Sequence, residues 1–429
     1  MTITFLPTDQ LQQSQKWTNV QKILFRFFFV YFVLYCFPFP VVSFQFTQPI
    51  TYPYMTSMEW LAPKVGMLFF NWEIENSRFA FRLADSAFGV VCLFINLVVA
   101  LLITLFWSIV DRRRVNYEKL NVWFLLYIRY YLAFTLLSYG MNKVLPLQGG
   151  FITASVLEKP FGMMDPTELQ WKFLAYSNAY KIFTGLGEVI GALLILWRRT
   201  ATLGAMLLVA VLSVVVMLNF CFGIGVKISS LHYLFIAFII MWNDRQRLLN
   251  LFLLNRSVAP VNYTPLVRSF FWSRLFSVFL IFLVLCRLYQ LTDQNNTNWK
   301  RVSNFSQKPL YGTYTTEYFI RGIDIMPPLQ TDSLRWKKIT IETIWDVPRV
   351  YIHLSTDSII SSQAKIDTVQ RTIHFEIKKD PLTMTWSLPN STHLFLAGKW
   401  KDDSIKVMMK KYDLNNYPLY REKFKWIFD

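Results

Sequence analysis

Runs of about twenty apolar residues recur along the first 292 residues, and no other feature limits the possible folds of this chain as strongly. An α-helix of about 20 consecutive apolar residues crosses a bilayer core about 30 Å thick. The chain has 429 residues, of which 54% are hydrophobic and 17% aromatic. Because a soluble domain of this size would not carry such runs repeatedly, the sequence predicts a polytopic α-helical membrane bundle.

Seven apolar runs are predicted to cross the membrane. They cover residues 22–44, 85–110, 121–145, 178–200, 201–222, 229–242 and 269–291. The first run is too long and too aromatic for a signal peptide, so we expect it to remain as an anchor. An interfacial helix is expected over 58–70. A further helix is expected in the loop after the third run, with Asp165 as its N-cap and Pro166 at its first position.

The formal net charge is +17, which raises the question of nucleic-acid binding. The basic residues lie beside the apolar runs, however, where the positive-inside rule explains them, so no nucleic-acid partner is expected. With the N-terminus in the cytoplasm, the inner loops carry thirteen basic residues and the outer loops before the C-terminal region carry eight. This predicts a multi-pass protein of the inner membrane, with a cytoplasmic N-terminus and a periplasmic C-terminal domain.

The C-terminal part, 299–429, is predicted to be a separate extracytoplasmic domain, following a transmembrane domain over 1–292. Apolar and polar residues alternate there, as in half-buried strands. The predicted strands cover 338–345, 349–354, 372–377, 382–388, 393–397 and 405–409. Turn signals such as Asp380-Pro381 separate them. The pattern favours an all-β antiparallel meander closed into a small barrel or sandwich, whose interior is either packed or holds an apolar ligand.

The fourth apolar run carries one carboxylate, Glu188, near its middle. An acid at bilayer depth is unfavourable unless a partner or a watered cavity compensates its charge. Gly187 and Gly191 flank it and would let a neighbouring helix approach closely. With a rise of about 1.5 Å per residue, Arg129 of the third run falls at a similar depth. We therefore predict an Arg129–Glu188 pair, which either locks the helices together or forms part of a functional site.

A second layer of polar and aromatic residues collects at helix ends on the predicted outer side. Its members are Tyr139, Asn142, Lys143, Tyr180, Asn219, Lys227, Ser230 and His232, with Trp171 and Tyr176 from the outer loop. One interpretation is that they roof a ligand pocket whose floor is the Arg129–Glu188 pair. The alternative is that Lys, Tyr and Trp at helix ends are interfacial anchors.

Several familiar chemical motifs are absent from the sequence. The four cysteines are isolated, and there is no Cys-x-x-Cys, no His pair at metal spacing, no Gly-rich phosphate loop and no Gly-x-Ser-x-Gly. We therefore expect no metal site and no redox cofactor held by the chain itself. If the protein takes part in redox chemistry, electrons would have to come from a partner protein.

Four motifs taken together resemble the four-helix core of DoxX-like membrane proteins. These are Ile128-Arg129-Tyr130, Ser138 to Lys143, Gly185 to Gly191, and the stretch from Arg198 to Gly204. The likeness covers about 121–250. It consists of an Arg in the first core helix, a Gly-x-x-Lys end, and a Glu beside glycines in the second. The whole architecture resembles the longer DoxX-like proteins of Bacteroidetes, which carry a C-terminal extracytoplasmic β-domain.

This resemblance implies a quinone- or respiration-linked membrane subunit, as for some members of the family. The first functional hypothesis is therefore a redox-associated subunit that binds a quinone or another lipid-soluble ligand in an outward-facing intramembrane pocket. The second is a non-enzymatic envelope protein that anchors the β-domain and assembles partner proteins among membrane lipids. A more distant likeness to vitamin K-dependent gamma-carboxylases implies a third, a quinol-dependent carboxylase, but the carboxylase motifs are not evident.

Overall fold

The computed structural model of the protein describes residues 16–75, 78–79, 82–258, 269–332, 334–377, 380–400 and 403–421. The helices are α1 (Asn19–Cys36), α2 (Gln48–Phe70), α3 (Ala87–Val110), α4 (Glu118–Val144), α5 (Ala154–Glu158), α6 (Pro166–Tyr176), α7 (Asn178–Leu196), α8 (Ala201–Cys221), α9 (Lys227–Trp242), α10 (Arg245–Phe252), α11 (Phe270–Ser303) and α12 (Pro418–Arg421). The strands are β1 (Gly312–Arg321), β2 (Asp324–Ile325), β3 (Trp336–Ile344), β4 (Val347–Leu354), β5 (Ile359–Gln363), β6 (Lys365–Asp367), β7 (Thr372–Ile377), β8 (Asp380–Asn390), β9 (His393–Trp400) and β10 (Asp403–Lys411).

Six helices among the described residues are long and apolar enough to cross a membrane. They are α1, α3, α4, α7, α8 and α11, and each coincides with one of the predicted runs. The remaining run forms α9, which is apolar but has only 16 residues. On α3, Leu102, Leu105 and Phe106 are between 61 and 69% exposed, as expected for side chains that face lipid. These helices are those of a multi-pass membrane protein, while the identity of the membrane and the orientation of the termini stay predictions.

Side-chain caps explain where several helices begin. The hydroxyl of Thr18 accepts from the backbone of Gln21, and the Gln21 side chain accepts from the Thr18 backbone, which forms a capping box before α1. The Ser86 hydroxyl caps α3 by accepting from the Gly89 backbone at 3.1 Å. The predicted start of α6 is confirmed, because the Asp165 carboxylate accepts from the Glu168 backbone at 2.8 Å and Pro166 is the first helical residue.

The main apolar core of the helical region is shared by α1, α4, α7, α8 and α9. Fully buried members include Phe32, Ile128, Leu132, Ile195, Leu208 and Ile236. A smaller cluster around Ala62, Phe88 and Val91 joins α2 to α3. These two clusters hold together the helices that carry the predicted polar residues.

The strands form one antiparallel, nearly closed, barrel-like sheet in the order β5-β4-β3-β1-β10-β9-β8-β7-β6, with β2 beside β1. The two end strands of the sheet, β5 and β6, are separated by Ala364 alone. Of these two, β5 pairs with β4 and β6 pairs with β7. The Glu376 backbone of β7 also donates to the Ser362 hydroxyl of β5 at 3.0 Å. Alternate side chains fill the interior, where Trp336, Ile341, Val350 and Leu396 are fully buried.

The chain divides into two compact units. The membrane unit comprises Met1–Val144 and Phe183–Thr292, and the sheet unit comprises Leu145–Ile182 and Asp293–Asp429. The division differs from the predicted domains, 1–292 and 299–429, because residues 145–182 cluster with the sheet. Within the sheet unit, the Ser155 hydroxyl donates to the Glu342 carboxylate at 2.8 Å, and Lys338 donates to the Glu158 carboxylate at 2.9 Å.

Candidate functional site

The carboxylate at the middle of α7 pairs with Lys143, which lies on the last turn of α4. Lys143 Nζ is 2.5 Å from Glu188 Oε1, and the two side chains are 10% and 2% exposed. The other oxygen, Oε2, is buried and accepts no hydrogen bond from the described part of the chain. Each charge offsets the unfavourable burial of the other, which is the condition for keeping either in an apolar environment.

Glycine contacts set the register that brings Lys143 to Glu188. A Cβ atom on Gly185 would lie only 2.7 Å from the Lys143 Cβ, and one on Gly140 would lie 2.9 Å from the Gly185 carbonyl oxygen. The backbones of α4 and α7 therefore touch at these two glycines. The predicted close approach at Gly191 is also present, but it faces Leu208 of α8 at 2.5 Å.

Arg129 has different partners from the one predicted. Its Nε donates to the Ile195 carbonyl at 2.7 Å and its Nη2 to the Leu196 carbonyl at 2.6 Å. Both carbonyls belong to the last turn of α7, where no N–H group of the helix is available to donate to them. They also form the negative end of the helix dipole. Ile195 lies seven residues beyond Glu188, about 10 Å along the axis. The predicted Arg129–Glu188 pair is thus replaced by the Lys143–Glu188 pair and a cationic cap.

The error in the prediction came from the depth estimate. It assumed that each helix enters the membrane at its first apolar residue, whereas α4 begins at Glu118 and α7 is aligned with it by glycine contacts. When two antiparallel helices are each misplaced by a few residues along the membrane normal, the predicted depth of one residue relative to the other is wrong by several times 1.5 Å. The residue opposite Glu188 is therefore Lys143 at the end of α4, fourteen residues after Arg129.

His232 of α9 has both ring nitrogens engaged. Nδ1 is 2.7 Å from the Ile228 carbonyl oxygen and Nε2 is 2.7 Å from the Tyr31 hydroxyl. A carbonyl oxygen only accepts, so Nδ1 carries the proton and Nε2 accepts from Tyr31. The ring also stacks on Tyr35, with centroids 4.5 Å apart and planes 9° apart. In its neutral form, His232 is thereby held in one tautomer and one orientation.

This Tyr31–His232 pair lies in the wall of an apolar cavity of about 860 Å³ in the membrane unit. The cavity is lined by residues of α1, α2, α3, α8 and α9, namely Phe27, Phe28, Tyr31, Phe32, Phe70, Val90, Leu93, Phe94, Leu97, Val209, Ser213, Leu231, His232, Leu234, Phe235 and Phe238. Its volume suits a drug-sized or larger ligand, and its polar groups are few and close together. It can therefore hold a mainly apolar molecule that has one hydrogen-bonding head.

Tyr31 and Tyr35 were not among the predicted site residues. The signal was present, because tyrosines four positions apart on an apolar helix share one face. That face continues inward through Tyr131, whose ring centroid lies 6.1 Å from that of Tyr35, and then through Tyr233, whose centroid lies 6.4 Å from that of Tyr131. The tyrosines of α1, α4 and α9 thus form a continuous aromatic row beside His232.

The remaining predicted residues do not converge on His232 within one unit. Asn142 donates from Nδ2 to the Ser138 carbonyl one turn earlier at 2.9 Å, and Asn219 is buried near the end of α8. Trp171, Tyr176 and Tyr180 belong to the sheet unit, where the Tyr180 ring lies 5.6 Å from Phe173. The pocket roof that they were predicted to form stays a prediction.

Comparison with known proteins identifies one informative relative. The Bacillus subtilis (strain 168) protein described as "Uncharacterized protein YwoB" is 36% identical over 124 residues, which are 29% of this chain and 79% of the relative. No protein-family model matches the chain, and no solved structure matches it significantly. Among the residues that the structure describes, no three His, Cys, Asp or Glu side chains are grouped to hold a metal ion.

Proposed function

This chain belongs to the family of the uncharacterised Bacillus subtilis protein YwoB, and we propose that its membrane unit binds a quinone or another lipid-soluble molecule in the cavity beside His232. The observation that carries the proposal is the Tyr31–His232 pair, a hydroxyl and a neutral imidazole in hydrogen-bond contact at an otherwise aromatic and aliphatic wall. The ring of the ligand would lie among the phenylalanines and its oxygen beside the pair.

The pair suits both redox forms of a quinone. Tyr31 offers one O–H donor, which a quinone carbonyl can accept when the hydroxyl turns from His232. His232 Nε2 then becomes free to accept from a quinol hydroxyl. A neutral histidine held in one tautomer by Ile228 is therefore able to accept a proton from the ligand without first losing one.

A redox role would require a partner protein that supplies the electrons. We propose that the protein is a DoxX-like subunit of the inner membrane that acts with a redox partner protein. Support comes from the order and spacing of the motifs around Arg129, Lys143 and Glu188, and from the apolar cavity itself.

The second candidate function is anchoring and assembly in the envelope. One observation favours it: the Lys143–Glu188 pair is buried, with Lys143 Nζ against Glu188 Oε1, and neither residue lines the cavity beside His232. Such a pair stabilises helix packing without needing a ligand. Under this candidate, the membrane unit would hold the β-sheet at the membrane and contact partner proteins.

Titration of the full chain in nanodiscs with a menaquinone or ubiquinone analogue separates the two functions. We expect saturable binding to the wild-type protein and quinone adducts in native mass spectra. Tyr31→Phe and His232→Phe are expected to weaken binding about tenfold each, because they remove hydrogen bonds in an apolar site. Tyr130→Phe deletes a hydroxyl outside the cavity lining and serves as the matched control. Absence of binding, or equal binding by His232→Phe and wild type, would leave the anchoring function.

A further inference from the structure

A second cavity in the membrane unit has a different chemical character from the one beside His232. It measures about 1110 Å³, and its lining includes Arg78, Arg82 and Arg287 together with one carboxylate, Glu59. Three guanidinium groups against one carboxylate leave an excess of two positive charges. The rest of the lining is mainly aromatic and aliphatic, with Phe39 and Phe134 among it.

Two of the three arginines, Arg82 and Arg287, are held in place by backbone carbonyls rather than by carboxylates. Arg287 of α11 donates from Nη1 to the Ser43 carbonyl at 2.7 Å, and Arg82 donates to the Phe37 carbonyl. Both carbonyls belong to the turn that follows α1, so two guanidinium groups are fixed along one short segment. The Arg82 guanidinium also lies 4.7 Å from the centre of the Phe79 ring.

Their positive charges are not neutralised by the described part of the chain. None of Arg78, Arg82 and Arg287 lies within 4.0 Å of a described carboxylate. The carboxylate of Glu59 already accepts from the Phe79 backbone at 2.7 Å. In addition, Arg287 Nε is buried and has no hydrogen-bond partner among the described residues. A buried cationic group without a counter-charge marks a ligand or ion site in a membrane protein, because its burial is otherwise unfavourable. This applies to Arg287, whose Nε is buried, whereas Arg78 is exposed and Arg82 half-buried in the same lining.

We propose that this cavity binds the phosphate head of an anionic lipid, with the lipid chain against the aromatic wall. Guanidinium groups bind phosphate oxygens through paired N–H donors, and an excess of two positive charges matches a phosphate monoester near neutral pH. The apolar lining suits a chain rather than a sugar or a peptide. Arg82 and Arg287 orient the phosphate while the carbonyls of Phe37 and Ser43 keep both side chains in place.

Native mass spectrometry of the full chain in nanodiscs tests the proposal directly. The probes are phosphatidic acid, phosphatidylcholine with the same acyl chains, and inorganic phosphate. We expect phosphatidic acid to bind at least about tenfold more tightly than either of the others, because only it offers both an accessible phosphate monoester and a chain. Equal binding of the two lipids would overturn the proposal. Inorganic phosphate binding as tightly as phosphatidic acid would also overturn it and indicate a site for the free anion.

Variants then assign the binding to the arginines. The double variant Arg82→Gln/Arg287→Gln is expected to lower phosphatidic acid binding about tenfold, to the level of phosphatidylcholine. Arg274→Gln is the matched control, since Arg274 is an exposed arginine of the same helix α11 and does not line the cavity. An equal loss in Arg274→Gln would refute the assignment.

Conservative variants guard against a double variant that does not fold. Arg82→Lys and Arg287→Lys keep the charge but lose the forked donor, so each should bind phosphatidic acid less tightly than wild type and more tightly than the Gln variants. The single variants Arg82→Gln and Arg287→Gln complete the set. Unchanged phosphatidic acid binding in both Lys variants and in either single Gln variant that folds would contradict the proposal. Quinone binding in these variants is a separate readout, because the cavity beside His232 has its own lining.

Discussion

Two buried charged residues at the contact of α4 with α7 each have a specific acceptor or counter-ion. Glu188 has Lys143, and Arg129 has the carbonyls of Ile195 and Leu196. In an apolar environment each polar atom left without a partner is unfavourable by about 1–3 kcal/mol, and more when it is charged. Single substitutions should therefore show which of these contacts is needed for the fold.

Removing one member of the Lys143–Glu188 pair is expected to be strongly destabilising. Glu188→Gln and Lys143→Met should each lower the free energy of unfolding by about 3–5 kcal/mol, because a buried charge loses its partner. The double variant should lose less than the sum of the two. Chemical denaturation in mixed micelles gives all three values as a double-mutant cycle.

Lys227→Met provides the control for that cycle. Lys227 pairs with Asp85 at 3.1 Å, but its side chain is 31% exposed at the start of α9. Its removal should lower the free energy of unfolding by only about 0–1 kcal/mol. If Glu188→Gln proved no more harmful than Lys227→Met, the idea that the pair is a dry structural contact would be refuted.

At the scale of helices, glycines decide which residues meet. The Gly140–Gly185 contact aligns α4 with α7, and the Gly191–Leu208 contact aligns α7 with α8. Gly187 is part of the predicted Gly-x-x-x-Gly, but a Cβ atom added there would meet, among the described residues, only the Val211 side chain, at 3.3 Å. The two glycines that flank the carboxylate therefore differ in how tightly they are packed.

Gly185→Ala is expected to destabilise the membrane unit by about 1–3 kcal/mol, because the new methyl group would meet the Lys143 Cβ and the Gly140 carbonyl. Gly187→Ala should be neutral or slightly stabilising, since alanine favours helix and the Val211 methyl can yield. Thermal unfolding in detergent compares the two variants directly. Similar losses in both would show that α4 and α7 do not touch at Gly185.

The end of α7 supplies another prediction. Arg129→Lys should destabilise the protein, because a lysine has no rigid fork from which to donate to both the Ile195 and Leu196 carbonyls. Arg129→Met should lower the free energy of unfolding further, by about 1.5–3 kcal/mol for each lost hydrogen bond. Hydrogen exchange of peptides covering the end of α7 should rise in parallel. Arg199 is an exposed arginine in the following turn, so Arg199→Met should leave both stability and hydrogen exchange nearly unchanged. An equal effect of Arg199→Met would contradict the role of Arg129 as a cap of α7.

At the scale of the whole chain, the sequence predicts elements better than it predicts which elements meet. Apolar length identified the six long spans, and alternation located β3, β4 and β7 to β10, because both are local properties. Four strands, β1, β2, β5 and β6, were not predicted. The short β5 and β6 carry too little alternation in Ile-Ile-Ser-Ser-Gln and Lys-Ile-Asp. The partner of Glu188 was missed because glycine contacts between distant segments set it.

The same limit explains why residues 145–182 were assigned to the helical domain. They follow α4 in the chain, and nothing local in the sequence indicates that they pack with strands that come more than 150 residues later. Their link to the sheet includes side-chain hydrogen bonds and ion pairs. Glu158, whose side chain is 6% exposed, accepts from Lys338 of β3 at 2.9 Å and from Tyr417 near the C-terminus at 2.5 Å.

Glu158 should therefore hold three distant segments of the sheet unit together. Glu158→Gln removes the negative charge that Lys338 and Tyr417 both contact. The free energy of local opening should fall by about 1–3 kcal/mol, which corresponds to hydrogen exchange about tenfold faster or more. We expect this effect at Ala154–Glu158 and at Pro418–Arg421 of the full chain. Glu168→Gln is the control, because its pair with Lys159 lies within one segment and is 24–34% exposed. Faster exchange at both places in Glu158→Gln alone would show that the segment before α7 folds as part of the sheet unit. Equal exchange in the two variants would show that other contacts join them.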